Sequence, residues 1–240
     1  MCDEVNEHLY RFSFHLAHEY DRQRLRPLVP IFAEAIRAKG APLGNIFALV
    51  DGTFRQFCRP GLDGYNDLDQ RAHYSGHKKS HGNNHQGVVT PDGMIIEMHG
   101  PFEGRTHDTR VLRESGMLGR LQRNFPGFCV YGDKGYDAGH PSLQIPFKGA
   151  NTTQDQRDYN RTMSDIRQPV EWAFGKVVNL FGFIDFKKNN KLHKQPVGVF
   201  YLNAVLLTNC HSCLYGNQTA RYFNLPTPDL ENYLRNAQLA

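Results

Sequence analysis

Two aspartates are conspicuous for what precedes them. Leu49-Val50-Asp51-Gly52 and Val130-Tyr131-Gly132-Asp133 each set an acid beside a glycine at the end of a short apolar run. Runs of that length and composition, Ile46 to Val50 and Phe128 to Tyr131, read as strands. The first is apolar enough to be buried on both faces. In α/β sheets, ligands gather beyond the carboxyl ends of the strands, so an acid there is held by rigid backbone while its carboxylate meets open space. Two such acids brought together repel unless a cation neutralises them. Their oxygens suit a hard cation, Mg²⁺ or Mn²⁺. Two such ions about 3.5–4 Å apart activate a nucleophile and stabilise the leaving oxygen in phosphodiester chemistry. Taken singly, an aspartate before glycine is an ordinary turn. The pairing, and a third acid, make the case.

The third acid is Glu171. Val170, Phe174, Val177 and Val178 form an apolar stripe at helical spacing, and Glu171 borders it. From there it can point along the seam between helix and sheet. Arg167 lies one helical turn earlier and can orient it. The plainer reading of that pair is an exposed ion pair worth a few tenths of a kcal/mol.

The elements that must position these residues follow from periodicity. Residues 4–38 read as helical, with Gly40 and Pro42 as the stop. The strand from Ile46 is expected to end at the turn Asp51-Gly52-Thr53. His85 to Val89 and Met94 to Met98 flank Pro91-Asp92-Gly93 and read as a hairpin. Residues 108–123 read as one helix with Asp108 or Thr109 as N-cap. Residues 137–158 read as loop, 160–181 as helix and 197–214 as apolar helix. Strands and helices alternate within one unit, so the class is α/β. The division expected is a helical lead-in over 1–43, a core over 44–215 and a peripheral tail over 216–240.

Composition bounds the alternatives. The chain has 240 residues, 40% of them hydrophobic, with 16 Phe and 11 Tyr, which supports one sizeable core and excludes a disordered chain. Net charge is +4 and the pI near 8.8, which permits a polyanionic partner without demanding one. No sequence run of 18 to 20 apolar residues stands out, so no membrane partner is expected. Five scattered cysteines (Cys2, Cys58, Cys129, Cys210, Cys213) point to free thiols in a reducing, intracellular compartment. Cys210-His211-Ser212-Cys213 lacks the second ligand pair of a structural zinc site. Lys187-Lys188-Asn189-Asn190-Lys191 reads as a solvated basic turn.

Four blocks in series carry a family resemblance: Val50-Asp51-Gly52-Thr53; Gly104-Arg105-Thr106-His107-Asp108-Thr109-Arg110; Gly132-Asp133-Lys134-Gly135-Tyr136; and Arg167 through Val170-Glu171-Trp172-Ala173-Phe174-Gly175-Lys176. From about residue 45 to 210 the chain resembles the DDE superfamily endonucleases. The branch it most resembles is that of the PIF/Harbinger transposases and their domesticated relatives. The resemblance implies an RNase H-like mixed central sheet flanked by helices, with the first acid on the first strand, the second on the fourth and the glutamate on a later helix. It implies two divalent metal ions, DNA as substrate, cleavage of phosphodiesters, and the nucleus as compartment. Residue by residue, the family's acids fall on Asp51, Asp133 and Glu171. Asp108 matches the family's His-Asp block and is expected either as an auxiliary metal ligand or as a helix cap. Lys78, Lys79, Lys134 and Arg167 are the candidates for DNA contact.

Two departures bear on function. Pro169, two residues before Glu171, either starts the helix or kinks it. No helix-turn-helix module lies in the roughly 45 residues before Asp51. The expectation is therefore a fragment, a relative without autonomous mobility, or a chain served by a separate DNA-binding partner protein. A second reading, from a different class, is a catalytically silent domesticated relative that binds DNA or protein. A third, an unrelated metal phosphoesterase, calls for histidine-rich ligation that the blocks do not offer.

Overall fold

The structure, a computed structural model, describes residues 23–60, 67–185, 190–192 and 196–234. The helix expected over residues 4–22 and the basic residues 187–189 lie outside that set. Every side chain from Ile46 to Val50 is fully buried, and this run is the centre of the sheet. Strand β1 does not stop at Asp51, as the sequence led one to expect. It runs Ile46–Gln56, because Asp51 to Gln56 continue in antiparallel register against Gly87 to Gly82. Backbone ladder bonds sustain this polar half, which no apolar alternation announces.

Around β1 the chain builds helix α1 (Val29–Ala38), helix α2 (Asp67–His73), strands β2 (Tyr74–Ser75), β3 (Ser80–Val89) and β4 (Ile95–Glu103), helices α3 (Asp108–Ser115) and α4 (Met117–Asn124), and strands β5 (Cys129–Tyr131) and β6 (Leu143–Gln144). Helices α5 (Gln154–Leu180), α6 (Val197–Tyr215), α7 (Gln218–Phe223) and α8 (Leu230–Leu234) follow, with a 3₁₀ turn at Gly182–Asp185. Five strands lie in the order β4-β3-β1-β5-β6, and β2 pairs with the start of β3. β3 is antiparallel to both neighbours, whereas β1, β5 and β6 are parallel. This is a six-strand mixed sheet flanked by helices, the α/β, RNase H-like architecture that the sequence reading anticipated.

The hairpin is present and longer than expected. Asp92 fastens its turn by accepting hydrogen bonds from Thr90 Oγ1 (2.6 Å) and Met94 N (3.2 Å), and Gly93 takes the left-handed conformation at φ +77°. The helix read over 108–123 is two helices. Gly116, at φ 62°, breaks it, although Met117 and Leu121 continue the apolar spacing. Its N-cap is His107, without a side-chain cap bond, so neither Asp108 nor Thr109 caps it.

Helix α5 begins six residues before the expected start, at a capping box in which Thr153 and Gln156 satisfy each other's backbone N–H. Its first turn is exposed and polar, so apolar periodicity misses it. Pro169 therefore does not start the helix; it is buried within it, and its carbonyl accepts from Thr219 Oγ1 at 3.2 Å. Helix α6, at mean hydropathy 1.3, is long and apolar enough to cross a membrane, contrary to the sequence expectation. In the fold it is a core helix. Tyr201, Leu202, Ala204, Val205 and Leu206 are buried, and Asn209 brackets Ile95, accepting from its N and donating to its O. After Tyr215, Phe223 and Tyr233 are also buried in this core, and Ala220 is buried beside them in α7.

Candidate active site

The parallel register fixes the first two acids. Leu49 stands opposite Tyr131, so Asp51 and Asp133 each lie two residues further along neighbouring strands or their extension. Adjacent strands are about 4.8 Å apart, which keeps the two carboxylates in one neighbourhood without any side-chain contact between them. Asp51 is mostly buried. Its Oδ1 accepts from Gly52 N at 2.9 Å and its Oδ2 from Arg167 Nη1 at 2.5 Å. Burial pushes its carboxyl up to about 6, with the charge of Asp133 adding to the rise; Arg167 and the Gly52 N–H oppose it. Desolvation, rather than like-charge crowding, is the larger cause of the rise.

Arg167 also reaches the third acid. Its Nη2 donates to Glu171 Oε1 at 3.1 Å, one turn along α5, where Val170, Phe174 and Val177 turn the opposite edge into the core. One guanidinium thus spans the sheet acid Asp51 and the helix acid Glu171. Glu171 keeps 57% of its side chain exposed, so it faces the open side of the seam.

Asp108 stands on the other flank. Gly52 has no side chain, and a Cβ there would lie 2.7 Å from Asp108 Oδ1. A Cβ on Gly135 would lie 2.8 Å from Asp133 Oδ1 and 3.7 Å from Asp108 Oδ2, so both carboxylates border one point. Asp108 is raised first by burial and then by Asp133, while His107, Lys78 and His77 lower it. Asp133 Oδ1 accepts from Gly135 N at 2.5 Å, and Thr109 Oγ1 donates to Gly135 O at 3.0 Å, tying α3 to the Asp133 turn. Lys78, Lys79 and Lys134 are exposed. Of these, Lys78 acts on Asp108 electrostatically.

Sequence reasoning gave no role to Tyr136, although it closes the third block. Its ring lies under Gly132, where a Cβ would come within 2.7 Å of Cδ2. It is fully buried, and its hydroxyl has no hydrogen-bond partner among the described residues. Burial, then the charges of Asp108, Asp51 and Asp133, push that hydroxyl well above the usual tyrosine range. It therefore feels the charge of all three aspartates.

These observations test whether a divalent cation suits the site. The donors are all carboxylate oxygens, the surplus charge is negative, and a polar atom beside them is orphaned; each fits a hard cation. As the side chains stand, no three His, Cys, Asp or Glu among the described residues are gathered closely enough to hold an ion. Arg167 supplies the positive charge between Asp51 and Glu171 instead.

Asp51 thus lies on β1, Asp133 just beyond the end of the parallel β5, and Glu171 on the covering helix α5. The family model for DDE superfamily endonucleases matches residues 50–209, and the chain belongs to that family. Comparison with curated proteins and with solved structures gave no match.

Proposed function

We propose that this chain is the catalytic domain of a divalent-metal-dependent DNA endonuclease or transposase of the PIF/Harbinger type, working in the nucleus. The observation that carries the proposal is that Asp51 and Asp133 each lie two residues beyond the paired Leu49 and Tyr131 of parallel β1 and β5, with Arg167 bridging Asp51 to Glu171. Asp51, Asp133 and Glu171 are the residues that would hold the cations, with Asp108 as the auxiliary oxygen donor. Metal bound there would activate water or a strand end as nucleophile and neutralise charge at the phosphorus.

The chain's own groups do the rest. Backbone pairing holds Asp51 rigid, and the Gly135 N–H orients the Asp133 carboxylate. Arg167 orients Glu171 and must yield at least one of its two contacts when a cation enters. Lys78, Lys79 and Lys134 are exposed, Lys78 and Lys134 near the acids, and would take DNA phosphates, which positions a strand without reading its sequence. A separate DNA-binding protein would supply target choice.

The arginine-satisfied site favours one second reading, a silent relative that binds DNA or protein and needs no metal. Plasmid nicking with Mg²⁺, Mn²⁺ or Ca²⁺ separates the two. The enzyme nicks with Mg²⁺ or Mn²⁺, and Asp51→Asn, isosteric but uncharged, loses several orders of magnitude of rate. Equal cleavage by Asp51→Asn defeats the two-metal assignment. No metal-dependent nicking, even with a DNA-binding partner supplied, makes the silent relative the better reading.

A further inference from the structure

Beside the acids runs a groove whose far wall, formed by the loop between β6 and α5, the proposed chemistry does not use. It has a volume of about 710 Å³, within the range of about 300–1,000 Å³ typical of ligand sites. Asp133 and Arg167 line one part of it, so it opens into the candidate active site. The loop between β6 and α5 lines the other, with Phe147 and Lys148, and Lys134 completes a set of three cations facing a single acid.

Phe147 is 46% exposed, yet it is built in. Asn160 of α5 grips its backbone on both sides: Phe147 N donates to Asn160 Oδ1 at 2.8 Å, and Asn160 Nδ2 donates to Phe147 O at 3.0 Å. The ring meets Tyr159 edge-on at 5.1 Å, and Tyr159 meets Tyr131 edge-on at 6.4 Å. Lys148 is fixed as well, since its Nζ donates to Tyr136 O at 2.6 Å. A large aromatic held open to water at this cost of exposed apolar surface is shaped for something flat. Lys134 and Lys148 line the same groove and call for an anion attached to that flat group.

An unpaired nucleotide has this chemistry. Base faces stack on aromatic rings, and backbone phosphates are drawn to lysine. A base within a duplex has both faces covered by its neighbours and offers none. The geometry points to a subsite for one unpaired nucleotide of a DNA strand, its base stacked on Phe147 and its phosphate set between Lys134 and Lys148. The strand leaving this subsite would run past Asp133 toward Asp51. The inference rests on the nuclease reading and narrows how it holds its substrate: one nucleotide of the strand beside the acids would be unpaired while bound.

Binding without cleavage tests it. A short oligonucleotide carrying 2-aminopurine is presented single-stranded, as an unpaired overhang on a duplex, and inside a full duplex, in Ca²⁺ buffer, with anisotropy read alongside fluorescence. The wild type should quench the unpaired probes by stacking and leave the paired probe unaffected. Phe147→Ala should weaken binding to the unpaired probes by about tenfold or more and abolish the quench, leaving duplex affinity unchanged. Phe147→Trp should restore both. Because the ring is half exposed, thermal melting of Phe147→Ala should match wild type, which separates lost stacking from lost fold. Unchanged single-strand affinity in Phe147→Ala overturns the subsite while duplex binding still supports a DNA enzyme. Failure to bind any of the three probes, with a DNA-binding partner supplied, overturns the underlying DNA reading too.

Discussion

At the carboxylate of Asp51, burial raises proton affinity and Arg167 lowers it, and burial wins, leaving the group at about 6. The folded state therefore holds this proton more tightly than the unfolded chain does. Its contribution to stability falls as pH rises from about 4 to about 6. Carboxyl carbon NMR on metal-free protein should find Asp51 titrating near 6, and Mg²⁺ should pull that value down, because a cation favours the charged form. Arg167→Ala removes the strongest lowering influence, so the titration should move above 6. Near pH 8 the variant buries an unpaired charge and should lose about 1–3 kcal/mol in urea unfolding, with much less lost near pH 4. Equal losses at the two pH values would mean that Arg167 contributes packing rather than charge.

Strand β3 shows what burial does to a residue that pattern reading passes over. His85 stands opposite Thr53, fully buried with its ring 4.7 Å from that of Tyr201. Burial, then Arg55, lowers it to about 3. Between that value and 6.5 the unfolded chain binds a proton that the folded one refuses. Stability should therefore fall as pH drops below 6.5, by up to about 1.4 kcal/mol per pH unit. His85→Leu should flatten that slope in urea midpoints measured from pH 7 to 5; an unchanged slope would place the acid sensitivity elsewhere. The apolar half of β1 was legible because both its faces are buried, while its polar half, through Thr53 and Arg55, depends on pairing with β3. The break at Gly116 was hidden because the apolar spacing runs straight through it. Asp51, Asp133, Glu171 and Arg167 could be picked out by type and spacing. The roles of Tyr136 and Phe147 could not, since one depends on a buried hydroxyl and the other on a groove wall, and both arise only from tertiary packing.

The family match ends at residue 209, but the core does not. Asn217 donates to Asp92 O at 2.9 Å, holding the β3–β4 turn, and its Oδ1 accepts from Ala220 N at 2.7 Å to cap α7. Phe223 and Tyr233 bury their rings, and Asn209 donates to the Tyr233 hydroxyl at 2.9 Å. Burying each large ring stabilises by about 1.5–3 kcal/mol, so ending the chain after Gly216 should cost several kcal/mol. Urea unfolding of that truncation should show a much lower midpoint, and an unchanged midpoint would make the C-terminal helices dispensable. Thr219 of α7 donates to Pro169 O in the helix that carries Arg167 and Glu171, so mutations at the site and in the C-terminal helices should couple rather than simply add.

The guanidinium of Arg167, lodged between Asp51 and Glu171, also bears on the order of biosynthesis. Small zinc domains are unfolded until metal arrives, so their maturation waits on supply. Here a guanidinium already between two of the acids would let the chain reach its native shape on the ribosome's schedule and, on the proposed metal-dependent reading, stay inert until an ion displaced it. A chelator should silence such a protein without melting it, and returning the ion should revive it without refolding.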